Sequence, residues 1–125
     1  MIQAHGIDII EIKRIERAVR KWGQKFLRKI FTPLEQKYCR LKKIGGPASL
    51  AARFAAKEAV LKVLSRREAS GIRWTEIEIY HDRNGSPAVR LRGRVKEAFA
   101  QDRLHLSLSH SDKYAVASVI RESRP

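Results

Sequence analysis

The sequence predicts an α+β domain whose strands are mainly antiparallel. The chain has 125 residues, 43% of them hydrophobic, which is enough to bury the core of a single compact domain. Its patterns predict a strand, three helices, a hairpin, a short helix and a second hairpin, in that order. A run of helices followed by strands that tight turns connect favours an α+β domain over a parallel α/β sheet.

The first predicted strand covers residues 2–10. They are almost continuously apolar, which predicts a strand buried on both faces. From Glu11 onward the period changes to that of a helix, which ends at Gly23. The apolar residues on one side of this helix are Ile12, Ile15, Val19 and Trp22.

The second predicted helix has a clear start signal. Thr32 can act as its N-cap, Pro33 suits the first helical position, and Glu35 completes a capping box. The predicted inner face consists of Leu34, Tyr38 and Leu41.

The third predicted helix follows a break at residues 45–47 and covers about residues 47–64. It is rich in alanine, which favours both helix formation and close packing. Residues 65–73 form a polar connection.

The C-terminal half predicts the two hairpins. Residues 74–81 alternate between an apolar face with Ile77 and Ile79 and a polar face with Glu76 and Glu78, as in a half-buried strand. Asn84-Gly85 is a strong signal for a tight turn before the return strand. The remaining elements are a helix over 94–101, a strand around 104–108, a turn at 111–113 and a strand over 114–120.

The net charge of +14 comes from 27 Lys and Arg against 13 Asp and Glu. Most of this excess lies between Lys13 and Lys43, a segment with few acidic residues. A helix face that serves only solubility tends to mix signs, because like charges at helical spacing repel. The pattern therefore favours a docking surface for an anionic partner over a merely solvated face. The charge alone leaves nucleic acid, membrane, phosphorylated small molecule and acidic protein open.

The sequence also excludes several classes of protein. Cys39 is the only cysteine, which excludes an intrachain disulfide and a cysteine-based zinc site. No apolar run approaches the roughly 20 residues of a membrane-spanning helix. The first ten residues lack the basic segment of a signal peptide and contain Asp8. We therefore expect a cytoplasmic protein.

Two carboxylates lie in apolar segments. Asp8 is near the end of the first predicted strand, where burying an unpaired carboxylate costs several kcal/mol, and an N-cap for the next helix is an equal alternative. Glu58 lies about 40° from Phe54 around the third helix, within its apolar stripe, so a surface pair with Lys62 is the weaker interpretation. Two carboxylates from different elements, completed by water and phosphate, are typical of a Mg²⁺ site.

Other polar residues are candidates for phosphate contacts. Lys57 and Lys62 lie at the edges of the apolar stripe, from which an ammonium group can reach toward a cleft. Residues 109–111, Ser-His-Ser, end a predicted strand, where they can bond a phosphate; an ordinary turn explains them equally well.

Five segments carry motifs that occur together in one family. They are Gly6-Ile7-Asp8-Ile9-Ile10-Glu11-Ile12, Phe31-Thr32-Pro33-Leu34-Glu35 with Tyr38-Cys39, Arg53-Phe54-Ala55-Ala56-Lys57-Glu58-Ala59 with Lys62, Asn84-Gly85-Ser86-Pro87, and Leu106-Ser107-Leu108-Ser109-His110-Ser111 with Tyr114-Ala115-Val116-Ala117. In this order and spacing the chain resembles the bacterial holo-[acyl-carrier-protein] synthases, the small single-domain 4′-phosphopantetheinyl transferases.

The resemblance implies the fold of that family, in which a mainly antiparallel sheet packs against a long helix in one domain over residues 1–125. It implies transfer of the 4′-phosphopantetheine arm of coenzyme A to a serine hydroxyl of apo-acyl carrier protein, with release of adenosine 3′,5′-bisphosphate. Family members are usually homotrimers with active sites between subunits, so part of each site would come from a neighbour.

The resemblance also assigns roles by position. Asp8 and Glu58 match the ligands of Mg²⁺, with Mn²⁺ as the alternative; Glu58 also matches the group that takes the serine proton, and Lys62 matches the lysine that neutralises the leaving phosphate. The coenzyme A site would be lined by Lys57, Lys62, Gly85, Pro87, Ser109 and His110. The acidic carrier protein would dock on Arg14, Arg17, Arg20 and Lys21.

The chain departs from the family at two places. Residues 65–68 replace a short glycine-rich turn, and His5 replaces a small or apolar residue. Glu35 is explained by the capping box, and the resemblance gives it only a weak secondary role near the site.

A small basic nucleic-acid-binding protein is the alternative function, because the net charge and the basic helix suit it. A scaffold that binds an acidic protein is a third interpretation. Neither explains carboxylates in apolar segments, and the sequence has no RNA-recognition aromatic motif, GXXG loop or zinc-finger spacing.

Overall fold

The computed structural model describes residues 1–42, 45–99 and 101–124. Lys43, which belongs to the basic segment of the sequence, lies outside the described residues. The elements are β1 (Ile2–Glu11), α1 (Ile12–Trp22), α2 (Gln24–Ile30), α3 (Pro33–Leu41), α4 (Gly46–Lys62), α5 (Arg66–Ala69), a 3-10 turn (Trp74–Glu76), β2 (Ile77–His81), β3 (Pro87–Leu91), α6 (Gly93–Ala98), β4 (Asp102–His110) and β5 (Tyr114–Ser123).

Two antiparallel sheets lie beside the long helix α4. The larger sheet has the order β1-β5-β4, and the smaller one is the hairpin β2-β3. The five alanines of α4 between positions 51 and 59 are buried against this framework, which confirms the close packing that the sequence predicts. The predicted α+β arrangement, a mainly antiparallel sheet against a long helix, is therefore confirmed.

The prediction that β1 is buried on both faces is wrong. Gly6 and Ile10 face α4, whereas Ile7 and Ile9 are 58% and 64% exposed on the opposite face of the sheet. Successive residues of a strand point to opposite faces, and the described residues cover only one face of this sheet. His5 lies on the same outer face, where its Nε2 is 2.7 Å from Ser118 Oγ.

The first predicted helix ends at Gly23 as expected, but the sequence does not predict the helix α2 that follows it. Gly23 adopts a φ of +55°, and its N–H donates to the carbonyl of Val19, so α1 ends there and α2 begins. Ile12 and Ile15 are buried as predicted. The sequence predicts Trp22 on the inner face, but at the last position of α1, before the helix break at Gly23, it is 54% exposed.

The capping box of α3 is confirmed, because the Thr32 side chain accepts from the Glu35 N–H and the Glu35 carboxylate accepts from the Thr32 N–H. Its predicted inner face is wrong. Leu34 and Leu41 are exposed and Tyr38 is partly buried against His81, whereas the buried residues of the helix are Glu35, Gln36 and Cys39.

The polar connection after α4 contains α5, which the sequence analysis missed. Ser65 and Glu68 form a second capping box at its start. Arg121 of β5 then binds the Glu68 and Asp102 carboxylates and the Val63 carbonyl, and it also donates to the carbonyl of residue 98. Acceptors from α5, α6 and β4, together with Val63 just after α4, thus surround Arg121 where the family usually has a glycine-rich turn.

The β2-β3 hairpin turns at Gly85, which has a φ of +79°. The Asp82 carboxylate accepts from the N–H groups of Asn84 and Ser86 and holds the turn. The sequence predicts Glu78 on a solvent face of β2, but the residue is only 2% exposed. Its carboxylate accepts hydrogen bonds from Thr32, from Arg90 in β3 and from Arg92, which follows β3.

Candidate active site

Gly6 lets β1 cross α4 at very short range. A Cβ atom at this position would lie under 3.0 Å from the carbonyl oxygen of Ala59 and 3.1 Å from the Cβ of Lys62. Asp8 follows two residues later, on the same face of the strand. The Lys62 ammonium donates to the Ile7 carbonyl at 2.7 Å and to Asp8 Oδ1 at 3.1 Å. The crossing therefore joins Asp8 to Lys62.

Glu58 lies one helical turn before Lys62 and is partly buried. Burial and the negative charge of Asp8 raise its pKa, while the cations Lys62 and Arg14 oppose the increase. Asp8, Lys62 and Arg14 therefore all lie close enough to act on Glu58, and we call Asp8, Glu58 and Lys62 the carboxylate cluster. The N-cap alternative for Asp8 is wrong, because α1 begins at Ile12.

The donor set of the carboxylate cluster fits a hard divalent cation. Asp8 and Glu58 come from different elements, and their mutual repulsion calls for a positive charge. Within residues 1–42, 45–99 and 101–124 there is no group of three or more His, Cys, Asp or Glu side chains that could hold a metal ion. Two carboxylates leave the remaining positions to water and phosphate, which suits Mg²⁺.

A cleft of about 430 Å³ lies beside the N-terminal half of α4, next to the β2-β3 hairpin and the end of β4. It brings together three of the residues that the resemblance assigns to coenzyme A, namely Pro87, Ser109 and His110. Gly85 stands two residues before Pro87 at the tip of the hairpin and does not line the cleft itself. Lys42 adds an exposed cation to the cleft.

Arg53 and His81 also line this cleft, and the sequence analysis gave neither a role. Arg53 is 2% exposed; its guanidinium donates to Ser49 Oγ at 2.8 Å and to His81 Nδ1 at 3.4 Å, and it lies 4.3 Å from the ring centroid of Tyr38. Its Nε has no partner among the described residues. Burial, Arg53 and Lys42 lower the pKa of His81. Arg53 could have been identified from the sequence, because it is a charged residue in an apolar helix, the same signal that identified Glu58.

The prediction that Lys57 lines the coenzyme A site is contradicted by its position. Its ammonium donates to the Ile30 carbonyl at 2.7 Å, to Glu35 Oε1 at 2.7 Å and to the Trp74 carbonyl at 3.2 Å, and the side chain is fully buried. Three acceptors use all the donors of a lysine. Burial lowers the pKa of Lys57, and the charge of Glu35 opposes this. Lys57 therefore links α4 to α2, to α3 and to the 3-10 turn through these hydrogen bonds.

The carboxylate cluster and the cleft lie on opposite sides of α4. Glu58 stands five positions after Arg53, which corresponds to a rotation of about 140° and a rise of about 7.5 Å. Lys62 lies about 180° from Arg53 around the helix. One chain thus presents the predicted site as two halves that face different directions.

The four residues predicted to receive the carrier protein are all exposed on α1. None of them forms an ion pair with another residue in the part of the chain that the structure describes. Arg14 is close enough to Glu58 to lower its pKa, so the N-terminal end of this basic surface adjoins the carboxylate cluster. The residues are Arg14, Arg17, Arg20 and Lys21.

Over the described residues, no helix combines the length and apolar character needed to cross a membrane.

Comparison with known proteins identifies relatives over almost the full length. The model of the 4′-phosphopantetheinyl transferase superfamily matches residues 4–119. The holo-[acyl-carrier-protein] synthase of Protochlamydia amoebophila is 45% identical over 119 residues, which cover 94% of this chain and 96% of that protein.

Solved structures agree with this relationship. The holo-[acyl-carrier-protein] synthase of Neisseria meningitidis superposes with a TM-score of 0.83 at 34% identity, over 98% of this chain and 100% of that one. The enzyme of Bacillus anthracis, solved in complex with CoA (3′,5′-ADP), gives a TM-score of 0.79 at 33% identity over 99% of both chains.

Proposed function

The chain belongs to the 4′-phosphopantetheinyl transferase superfamily, and on that premise we propose that it acts as a holo-[acyl-carrier-protein] synthase over residues 1–125. It transfers the 4′-phosphopantetheine group of coenzyme A to a serine hydroxyl of an apo-acyl carrier protein and releases adenosine 3′,5′-bisphosphate. The observation that carries this function is the carboxylate cluster, because phosphoryl transfer depends mainly on positioning and charge neutralisation.

In this proposal Glu58 accepts a proton and Lys62 stabilises negative charge during the transfer. The serine oxygen forms a bond to the phosphorus that carries the pantetheine arm, and the bond from that phosphorus to the 3′,5′-ADP oxygen breaks. Glu58 accepts the serine proton, directly or through water. Lys62, half exposed beside Asp8, stabilises the negative charge on the departing phosphate.

Asp8 and Glu58 are proposed to hold Mg²⁺, with Mn²⁺ as the alternative. When bound, the ion supplies positive charge to the coenzyme A pyrophosphate. The donor set supports this assignment, because two carboxylates on separate elements keep open positions for phosphate oxygens.

The cleft is proposed to bind the anionic part of coenzyme A. Lys42, Ser109 and His110 offer exposed donors at its rim, and the buried Arg53 provides a fixed positive charge whose Nε has no partner among the described residues. Pro87, with Gly85 at the hairpin tip, keeps its predicted place at this site. Lys57 is removed from the proposed set, because its ammonium is enclosed by other acceptors.

A homotrimer with sites between subunits would join the two halves. This proposal is supported by the position of the cleft and the carboxylate cluster on opposite sides of α4. The outer face of the larger sheet offers a largely apolar surface for association, with Ile7 and Ile9 more than half exposed, Val116 paired with Ile9 and Ile120 paired with His5.

Subunit complementation tests this arrangement. We expect Glu58→Gln and His110→Glu to be inactive separately, because one damages the cluster and the other introduces a negative charge into the cleft. Co-expressed, the two variants should regain part of the activity, since some sites would combine an intact cluster with an intact cleft. Activity that does not recover in mixed oligomers, isolated by two affinity tags, would place both halves of a site in one chain.

Mass spectrometry tests the function itself. The purified protein is mixed with apo-acyl carrier protein, coenzyme A and Mg²⁺, and the carrier should gain the mass of phosphopantetheine. No mass increment on several carrier proteins would refute the proposed function.

The alternative of a nucleic-acid-binding protein finds no support among the relatives. The proposal includes the cytoplasmic location expected from the sequence.

A further inference from the structure

Trp22 is a large apolar side chain that the fold leaves open on a basic surface. It ends α1, directly before the break at Gly23, and is 54% exposed. Its neighbours Arg20, Lys21 and Lys25 are exposed and form no ion pairs within the described part of the chain. An exposed indole among unpaired cations has no evident role in the stability of the isolated chain.

The indole is also partly fixed in position. The Lys21 ammonium lies 5.0 Å from the centroid of its ring, a cation–π geometry that restricts the side chain. Tryptophan offers a large contact area with few rotatable bonds, which is why it is common among the residues that dominate the energy of interfaces.

The position of Trp22 relative to the carboxylate cluster suits a long partner. Arg14 lies at the end of α1 that adjoins Glu58, and Trp22 is eight residues further along, about 12 Å away. A partner that places its reactive group at the cluster and lies along α1 would therefore reach Trp22 with its distant end.

We propose that Trp22 is the apolar anchor of the surface that receives the acidic carrier protein. This proposal rests on the proposed function. The complementary partner surface has acidic side chains for the cations of α1 and an apolar side chain that covers the exposed part of the indole. The cations provide long-range attraction, and Trp22 provides a contact that salt does not screen.

Steady-state kinetics with a bacterial fatty-acid apo-acyl carrier protein test the proposal. Trp22→Ala should raise KM for the carrier about tenfold and leave kcat and KM for coenzyme A within about twofold, whereas Trp22→Phe should restore most of the affinity. Leu34→Ala is the matched control, because Leu34 is similarly exposed, at 48%, but lies on α3 outside the basic surface.

Direct binding separates the anchor from the activity. Affinity is measured by calorimetry with a carrier whose acceptor serine is replaced by alanine, at low salt and at about 0.5 M salt. The factor lost in Trp22→Ala should persist at high salt, whereas the factor lost on reversing the charge of Arg14 should shrink.

The outcomes distinguish the two proposals. A wild-type protein that modifies the carrier while Trp22→Ala keeps the wild-type KM and affinity would refute the anchor alone. A wild-type protein that neither binds nor modifies the carrier would refute the proposed function and the anchor with it.

Discussion

Replacing Gly6 by alanine should separate the two elements that form the carboxylate cluster. The added Cβ would lie under 3.0 Å from the Ala59 carbonyl oxygen and 3.1 Å from both Lys62 Cβ and Val63 Cγ1. Ordinary contact begins at 3.4 Å, so β1 must move away from α4 by at least about 0.4 Å. The nearest obstacle is a helix carbonyl, which cannot rotate aside as a side chain can.

The expected cost of Gly6→Ala is about 2–3 kcal/mol of the free energy of unfolding, near the upper end of the range for overpacking. For a domain of this size it corresponds to a fall in Tm of roughly 6–15 °C. The displacement also lengthens the 3.1 Å bond between Lys62 and Asp8, so the transfer rate should fall by more than the loss of folded protein explains.

Urea unfolding followed by circular dichroism, at one protein concentration for all variants, measures the change in stability. Gly46→Ala is the control, because its Cβ would meet, among the described residues, only the Cys39 carbonyl, at 3.1 Å, at the opposite end of α4. It should change the free energy of unfolding by about 1 kcal/mol or less and leave the transfer rate unchanged. A Gly6→Ala variant as stable and as active as the wild type would show that the crossing does not set the geometry of the cluster.

Three further predictions test the other parts of the site. Glu58→Gln should lower turnover at least about 100-fold and keep the wild-type Tm, because it removes only the proposed proton acceptor and metal ligand; near-full activity would contradict the proposed role of Glu58. Lys57→Met should cost about 3–5 kcal/mol in urea unfolding, because it leaves Glu35 charged and unpaired in the core, and a cost below 1 kcal/mol would contradict the buried pair. Arg14→Glu with Arg17→Glu should raise KM for the carrier protein much more than KM for coenzyme A, and equal effects on both would count against docking on α1.

The sequence predicts those features that a few neighbouring residues determine. The capping box from Thr32 to Glu35 and the turn at Asn84-Gly85 each close within four residues, so the motif contains all the interacting groups. The predicted inner face of α3 is wrong because Glu35 pairs with Lys57, which is 22 residues away in the sequence.

The candidate site shows the same division. A carboxylate in an apolar segment identifies Asp8 and Glu58, because charge in such a place needs compensation wherever the chain folds. Lys57 meets the same criterion, but only the fold shows that its compensation comes from Glu35 and two carbonyls. The exposed Ile7 and Ile9 of β1 are equally unpredictable, because an apolar residue does not reveal which surface covers it.

The set of acceptors around Arg121 determines when the segment after Lys62 becomes ordered. A glycine-rich turn would have to lose backbone freedom as a substrate binds, at about 1–2 kcal/mol per residue. Here Ser65, Glu68 and Arg121 impose that order when the chain folds. The segment is therefore already ordered before a ligand binds beside Lys62, and ordering it should contribute little to the entropy of binding. A variant that loosens this segment should bind the ligand more weakly, through entropy alone.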